Sequence, residues 1–180
     1  MLLDLALRIR KSGFKADLIV GVSRGGWVPA RILSDLLENS CTANLRIEFY
    51  TGIGETAAQP RVTQPVSSEV TGKTVLLVDD VSDSGGSLKV AKDYLLAQKA
   101  SGIKTVTLYY KPRSIFKPDF FNGTTEDWII FPWEQLEVTK QLLAEAKQHG
   151  QNVNFVRAIL ERCKIANTTI DGLFRLANEV

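Results

Sequence analysis

Two stretches of this chain are almost unbroken apolar runs of strand length, Leu18-Ile19-Val20-Gly21-Val22 and Val75-Leu76-Leu77-Val78. A strand without in-and-out alternation is covered on both faces, as in a parallel sheet, and parallel neighbours need a crossover between them, usually a helix. The rest of the chain supplies such crossovers. Strand-like segments occur at residues 18–22, 46–50, 74–78, 105–110 and 128–131, the last containing a third apolar run, Ile129-Ile130-Phe131. Helical spacing fills residues 28–37 and 88–100, where Leu88, Ala91, Leu95 and Leu96 recur on one face. The pattern predicts an α/β fold, a mainly parallel open sheet flanked by helices, with ligands bound at the carboxyl ends of the strands. Residues 52–72, with Gly54, Pro60 and Pro65 among many polar residues, read as a long, irregular, mobile lid loop. After Pro132 the pattern turns wholly helical, over residues 136–149, 153–164 and a last helix after the Thr168-Thr169 cap. The division implied is a domain over residues 1–134 and a helical C-terminal extension over 135–180.

A formal charge of +2, with 22 basic and 20 acidic residues mixed along the chain, gives no electrostatic footprint for duplex nucleic acid, so no nucleic acid is expected as a partner. Cys41 and Cys163 lack metal-ligand spacing and read as two reduced core thiols, which fits the cytoplasm. The opening residues lack a basic stretch before their apolar ones and are interrupted by Arg8, Arg10 and Lys11, the mark of an amphipathic helix and not of a signal peptide. No apolar run approaches a membrane span, so no membrane partner is expected.

The segment richest in chemistry runs Val78-Asp79-Asp80-Val81-Ser82-Asp83-Ser84-Gly85-Gly86-Ser87-Leu88. It is a buried strand that ends in two adjacent carboxylates and passes through a small-residue turn into a helix. Backbone N–H groups at a helix N-terminus, with glycines for close approach and Ser84 and Ser87 as hydroxyl donors, make a phosphate cradle. Two adjacent carboxylates cannot both stay unpaired in a core. They suit the hydroxyls of a polyol or a hydrated Mg²⁺. A ligand with a phosphate at one end and a ribose diol beside it satisfies every group. Earlier in the chain, Gly21-Val22-Ser23-Arg24-Gly25-Gly26-Trp27-Val28-Pro29 is another strand-to-helix loop of small residues with a cation, and Pro29 stands where a first helical turn tolerates it. That composition suits a second anion.

The acid-rich segment resembles the 5-phosphoribosyl 1-pyrophosphate (PRPP) signature of type I phosphoribosyltransferases, and the loop at 23–26 is similar to the pyrophosphate loop of their 6-oxopurine branch, notably the bacterial xanthine-guanine and archaeal purine enzymes. The resemblance covers residues 18–134 and implies purine salvage: transfer of 5-phosphoribose from PRPP to hypoxanthine, guanine or xanthine, with Mg²⁺, releasing pyrophosphate. It implies that Asp79 and Asp80 hold the ribose hydroxyls and Mg²⁺, that Asp83 sits beside the purine N7 as the catalytic acid or base, and that Ser84, Gly85, Gly86 and Ser87 bind the 5′-phosphate. Ser23, Arg24, Gly25 and Gly26 would hold pyrophosphate, with a cis peptide at Ser23–Arg24 by analogy, and Arg61 of the lid would reach the same group, with Tyr50 at the hinge. Lys111, before Pro112, would donate to the purine O6, Trp128 would stack on the ring and Ile129 would meet the base edge through its backbone. The chain departs from the xanthine-guanine pattern at Ile130, where that enzyme has an acid, so selectivity among the three bases stays open. A homodimer or higher homo-oligomer is also implied. The alternative is a catalytically weak, PRPP- or nucleotide-sensing regulatory protein on the same fold, against which the presence of Asp83, Lys111 and Trp128 argues.

Other motifs fail on mechanism. Gly52-Ile53-Gly54 imitates a dinucleotide fingerprint, but Pro60 and Pro65 deny it the helix it needs. Residues 79–87 imitate a calcium loop with Val81 at a ligand position and no closing Glu. His149, just before Gly150, reads as a contact at a helix C-terminus.

Overall fold

The computed structural model describes residues 1–50 and 59–178. In chain order the elements are α1 (Leu2–Lys11), β1 (Leu18–Ser23), α2 (Trp27–Leu36), β2 (Thr42–Tyr50), β3 (Gln59–Gln64), β4 (Thr74–Ser82), α3 (Gly86–Ala97), β5 (Gly102–Tyr110), β6 (Phe120–Thr124), α4 (Gln135–Gln148), α5 (Val153–Arg162) and α6 (Asn167–Asn178). The six strands form one sheet in the order β3-β2-β1-β4-β5-β6, parallel throughout except that β3 runs antiparallel to β2. Helix α2 carries the chain from β1 outward to β2, and α3 carries it from β4 to β5 in the opposite direction. The strand order therefore reverses between β1 and β4. A crevice opens at the carboxyl ends of two such strands, which is where ligands bind in open α/β sheets.

The two apolar runs occupy this central pair because both of their faces are buried. Leu18, Val20 and Val22 of β1 and Val75 and Leu77 of β4 pack with Leu88, Ala91 and Leu95 of α3. The alternate positions Ile19 and Leu76 are equally buried, and α2 packs on β1 and β4 with α1 beside it. The α/β architecture expected from the alternation is the one observed. Three local readings are corrected. Residues 128–131 form no strand, and the last strand is Phe120–Thr124, whose Asn122 and Gly123 disguise it as a turn. Residues 59–64 are not irregular loop but the edge strand β3, where Pro60 is tolerated because an edge leaves one side of the backbone unpaired. The start of the proposed lid, residues 52–58, and with it the Gly52-Ile53-Gly54 motif, lies outside the described residues. Cys41 and Cys163 are free, as read, but exposed and not in the core.

The chain divides into two compact units, Met1–Glu126 and Asp127–Val180. In the second, α4, α5 and α6 pack around Ala146, Val156, Leu160 and Ile170, with Ile130, Leu142 and Phe174 against them. Asn152 caps α5 by accepting a hydrogen bond from the Phe155 N–H. His149 closes α4, its Nδ1 lying 2.8 Å from the Glu145 carbonyl oxygen. Among the described residues no helix is long and apolar enough to cross a membrane.

Candidate active site

Strand β4 delivers Asp79 and Asp80 to the crevice. Both are buried, at 8% exposure each. The Asp80 N–H donates to Asp79 Oδ1 at 3.0 Å, and the Val81 N–H donates to Asp80 Oδ1 at 2.8 Å, so the local backbone orients both carboxylates. Burial, and then the like charge of Asp80, push the Asp79 carboxyl well above the usual aspartate range. Carboxylates so placed can accept from hydroxyl donors or face a cation.

Beyond the pair, the chain turns into α3 through Gly85, the N-cap residue, at φ 81°. A side chain there would strain the left-handed backbone and would also strike Ser114 Oγ at 2.5 Å and the Phe116 N–H nitrogen at 2.6 Å. The turn is braced from that side by the segment after β5: Ser82 Oγ lies 2.8 Å from Ser114 Oγ and donates to the Phe116 carbonyl at 2.7 Å, and the Ile115 N–H donates to the Ser84 carbonyl at 3.0 Å. The result is a cavity of about 310 Å³ lined by Asp79, Asp83, Ser84, Gly85, Ser87 and, from β2, Phe49. One end is a helix N-terminus with hydroxyls and the other is carboxylate, a division suited to a sugar phosphate. Pro60 of β3 lies close over the same turn, 3.2 Å from where a Gly86 side chain would begin.

The loop after β1 converges on the same acids. A Cβ on Gly25 would lie 2.0 Å from Asp80 Oδ2, and one on Gly26 would lie 2.4 Å from the Val78 carbonyl oxygen, so only glycine lets this loop lie against β4. The Ser23–Arg24 peptide is cis. Ser23 Oγ accepts from Asn44 Nδ2 at 3.2 Å, and the Arg24 side chain is exposed.

At the far side of the turn stand Asp83 and Lys111. Lys111, the first residue after β5, is 3% exposed, and its Nζ donates to Asp83 Oδ2 at 3.0 Å. Arg113 holds the other oxygen, donating to Asp83 Oδ1 from Nε at 3.0 Å and from Nη2 at 2.5 Å. Partial burial works to raise the Asp83 pKa, but the hydrogen bonds from Arg113 and Lys111 and their charges outweigh it and hold the carboxyl below the usual aspartate range.

The residues read from the sequence are thus brought together in one place for Ser23 to Gly26, Asp79, Asp80, Asp83 to Ser87 and Lys111. Arg61 lies on β3, in register with Glu48 of β2, and its side chain is exposed. Trp128 and Ile129 belong to the second unit, where Trp128, 67% exposed, lines an apolar cavity of about 300 Å³ with Ile130, Leu142 and Ile159. Two residues of the site escaped the sequence reading. Phe49 sits one position before the proposed hinge residue, and Arg113 two positions after Lys111; an exposed aromatic and an arginine in a Pro-containing loop carry no signal until the fold brings them to the acids.

Two glycine-containing turns on either side of an acid pair, at the point where a doubly wound sheet reverses its order, define an α/β protein with its ligand crevice at the ends of its central strands. Residues 3–137 match the phosphoribosyl transferase domain, and the chain belongs to that family. It is 30% identical over 118 residues to the xanthine-guanine phosphoribosyltransferase of Gluconobacter oxydans, covering 64% of this chain and 67% of that one. It is 33% identical over 118 residues to the enzyme of the same name from Idiomarina loihiensis, covering 64% and 70%. Among solved structures it is similar to a purine phosphoribosyltransferase from Pyrococcus horikoshii, with a TM-score of 0.66 and 36% identity over 73% of this chain and 85% of that one.

Proposed function

We propose that this protein is a purine-salvage phosphoribosyltransferase that joins 5-phosphoribose from PRPP to a 6-oxopurine and releases pyrophosphate. The observation that carries the reading is the convergence of the 23–26 loop on Asp80, which supports two anion sites with a row of acids between them. In this reading Ser84, Gly85, Gly86 and Ser87 bind the 5′-phosphate, Asp79 and Asp80 accept from the ribose hydroxyls, and Ser23, Arg24, Gly25 and Gly26 bind pyrophosphate, with Arg61 reaching it from β3. Lys111 has donors only, which selects the oxo group at purine C6 over the amino group of adenine. Trp128 stacks on the base and Ile129 meets its edge.

The adjacent carboxylates of Asp79 and Asp80 are a donor set that suits Mg²⁺, an ion commonly held by one or two carboxylates while substrate oxygens and water complete its shell. Asp79 and Asp80 would hold it, and it would neutralise charge on the pyrophosphate. Displacement at C1′ resembles glycoside cleavage, with positive charge on the sugar and negative charge on the leaving group. The purine N9 forms the new bond to C1′, the bond from C1′ to the pyrophosphate oxygen breaks with its electron pair, and the N7 proton passes to Asp83. A carboxylate held ionised by two cations is an acceptor, so Asp83 works as base in this direction. The N–H groups of residues 23–26 and the Arg24 guanidinium stabilise the departing anion.

The family match, which ends at residue 137, supports a transferase domain over residues 1–134 and a helical extension over 135–180. A cytoplasmic homodimer or higher homo-oligomer belongs to the same proposal. A regulatory, nucleotide-sensing role is not favoured, because the relatives are named as transferases. The test is incubation with PRPP and Mg²⁺ and, in turn, hypoxanthine, guanine, xanthine and adenine. Nucleotide should form with at least one 6-oxopurine and not with adenine; no nucleotide from any base would refute the reading.

A further inference from the structure

The two oxygens of Asp83 are held by cations of very different character. Lys111, on Oδ2, has a side chain only 4% exposed, whereas Arg113, on Oδ1, is 58% exposed. Arg113 donates twice to Oδ1 and so fills both lone-pair sites of that oxygen, while Lys111 takes one site on Oδ2, so the N7 edge of a purine reaches Oδ1 only by displacing Arg113. Lys111 is fixed at the end of β5, where its own N–H donates to the Ser82 carbonyl. Arg113 projects from the segment that Ser114 and Ile115 pin to the turn, so its backbone is held while its guanidinium can swing into water. Its second electrostatic neighbour, Glu126, offers that charge another partner. Moving the guanidinium exchanges a partly solvated ion pair for water and costs far less than uncovering buried Lys111.

We infer that Arg113 is a latch on the base subsite: its guanidinium occupies the purine's place on Asp83 Oδ1 in the free enzyme and is displaced when the imidazole edge of the base arrives. The inference rests on the reading of Asp83 as the proton acceptor. Arg113 is then a positioning residue, which keeps the carboxylate aimed while the site is open and competes with the base for it. A contact present only without the base raises the KM for the base and leaves PRPP binding alone.

The experiment compares wild-type protein, Arg113→Met, which keeps the length of the stem and removes the donors, and Arg113→Lys, which restores a charge without the fork. The KM values for the accepted 6-oxopurine and for PRPP are measured separately. The latch predicts a several-fold fall in the base KM for Arg113→Met, return toward the wild-type value for Arg113→Lys, and one PRPP KM for all three proteins. A base KM that is unchanged or raised in Arg113→Met, beside an active wild type, overturns the latch alone. A wild type that turns over no base removes the proposed function and the latch with it.

Discussion

Asp79, at the end of β4, is buried against a second carboxylate, whereas Asp83, in the turn that follows, has a side chain 41% exposed and gripped by two cations. The first is pushed above the usual aspartate range, by burial and then by Asp80, and the second is held below it by Arg113 and Lys111 against the pull of burial. Titratable neighbours whose surroundings drive them apart mark a division of labour. Burial and a like-charged neighbour favour the neutral form of the Asp79 carboxyl. Asp83 stays ionised, as a proton acceptor must.

The sharpest way to break this comparison is to remove the acceptor and keep its shape. Asp83→Asn should lower turnover by roughly 10²–10⁴-fold, with PRPP affinity unchanged in equilibrium titration; a parallel loss of PRPP binding would place Asp83 with the acid pair after all. A smaller effect is expected from Gly25→Ala, whose new methyl would lie 2.0 Å from Asp80 Oδ2. Displacing the loop or the carboxylate should cost on the order of 10²-fold in kcat/KM for PRPP, and wild-type kinetics would show that the 23–26 loop and the acids do not share a ligand.

The smallest effect sharpens the comparison through stability. The folded-state pKa of Asp79 is raised, so above the ordinary aspartate pKa the folded protein binds more protons than the unfolded one, and stability declines as pH rises toward the folded value. Asp79→Asn, whose side-chain oxygen can still accept from the Asp80 N–H, should therefore stabilise the ligand-free protein at neutral pH by about 0.5–2 kcal/mol. Denaturant unfolding should show this gain shrinking in acid, where the wild-type carboxyl is protonated in both states. A variant less stable than wild type at neutral pH would show that the buried charge is already compensated.

The central part of the fold was legible because β1 and β4 are buried on both faces and so appear as unbroken apolar runs. The edges were not. In β3, Pro60 and three glutamine or threonine side chains face an environment that asks for no apolar pattern, and β6 carries Asn122 and Gly123. Trp128 to Phe131 looked like a strand because the apolar side chains are there, but Ile130 packs among the C-terminal helices and Phe131 stacks on Trp133 at 4.9 Å. The same asymmetry holds in the site. Asp79, Asp80, Asp83 and the glycines of the turn lie in one short segment whose spacing carries its chemistry, whereas Arg113 follows β5, the neighbour of β4, and Phe49 comes from β2, one strand further off across β1.

The most direct test is a carboxyl-carbon NMR titration of the ligand-free protein, with resonances assigned from the Asp79→Asn and Asp83→Asn variants. Asp83 should titrate below the ordinary aspartate range and Asp79 above it. The opposite order, or two carboxyls titrating together at the ordinary value, would contradict the division between an ionised proton acceptor and a buried acid whose charge is disfavoured.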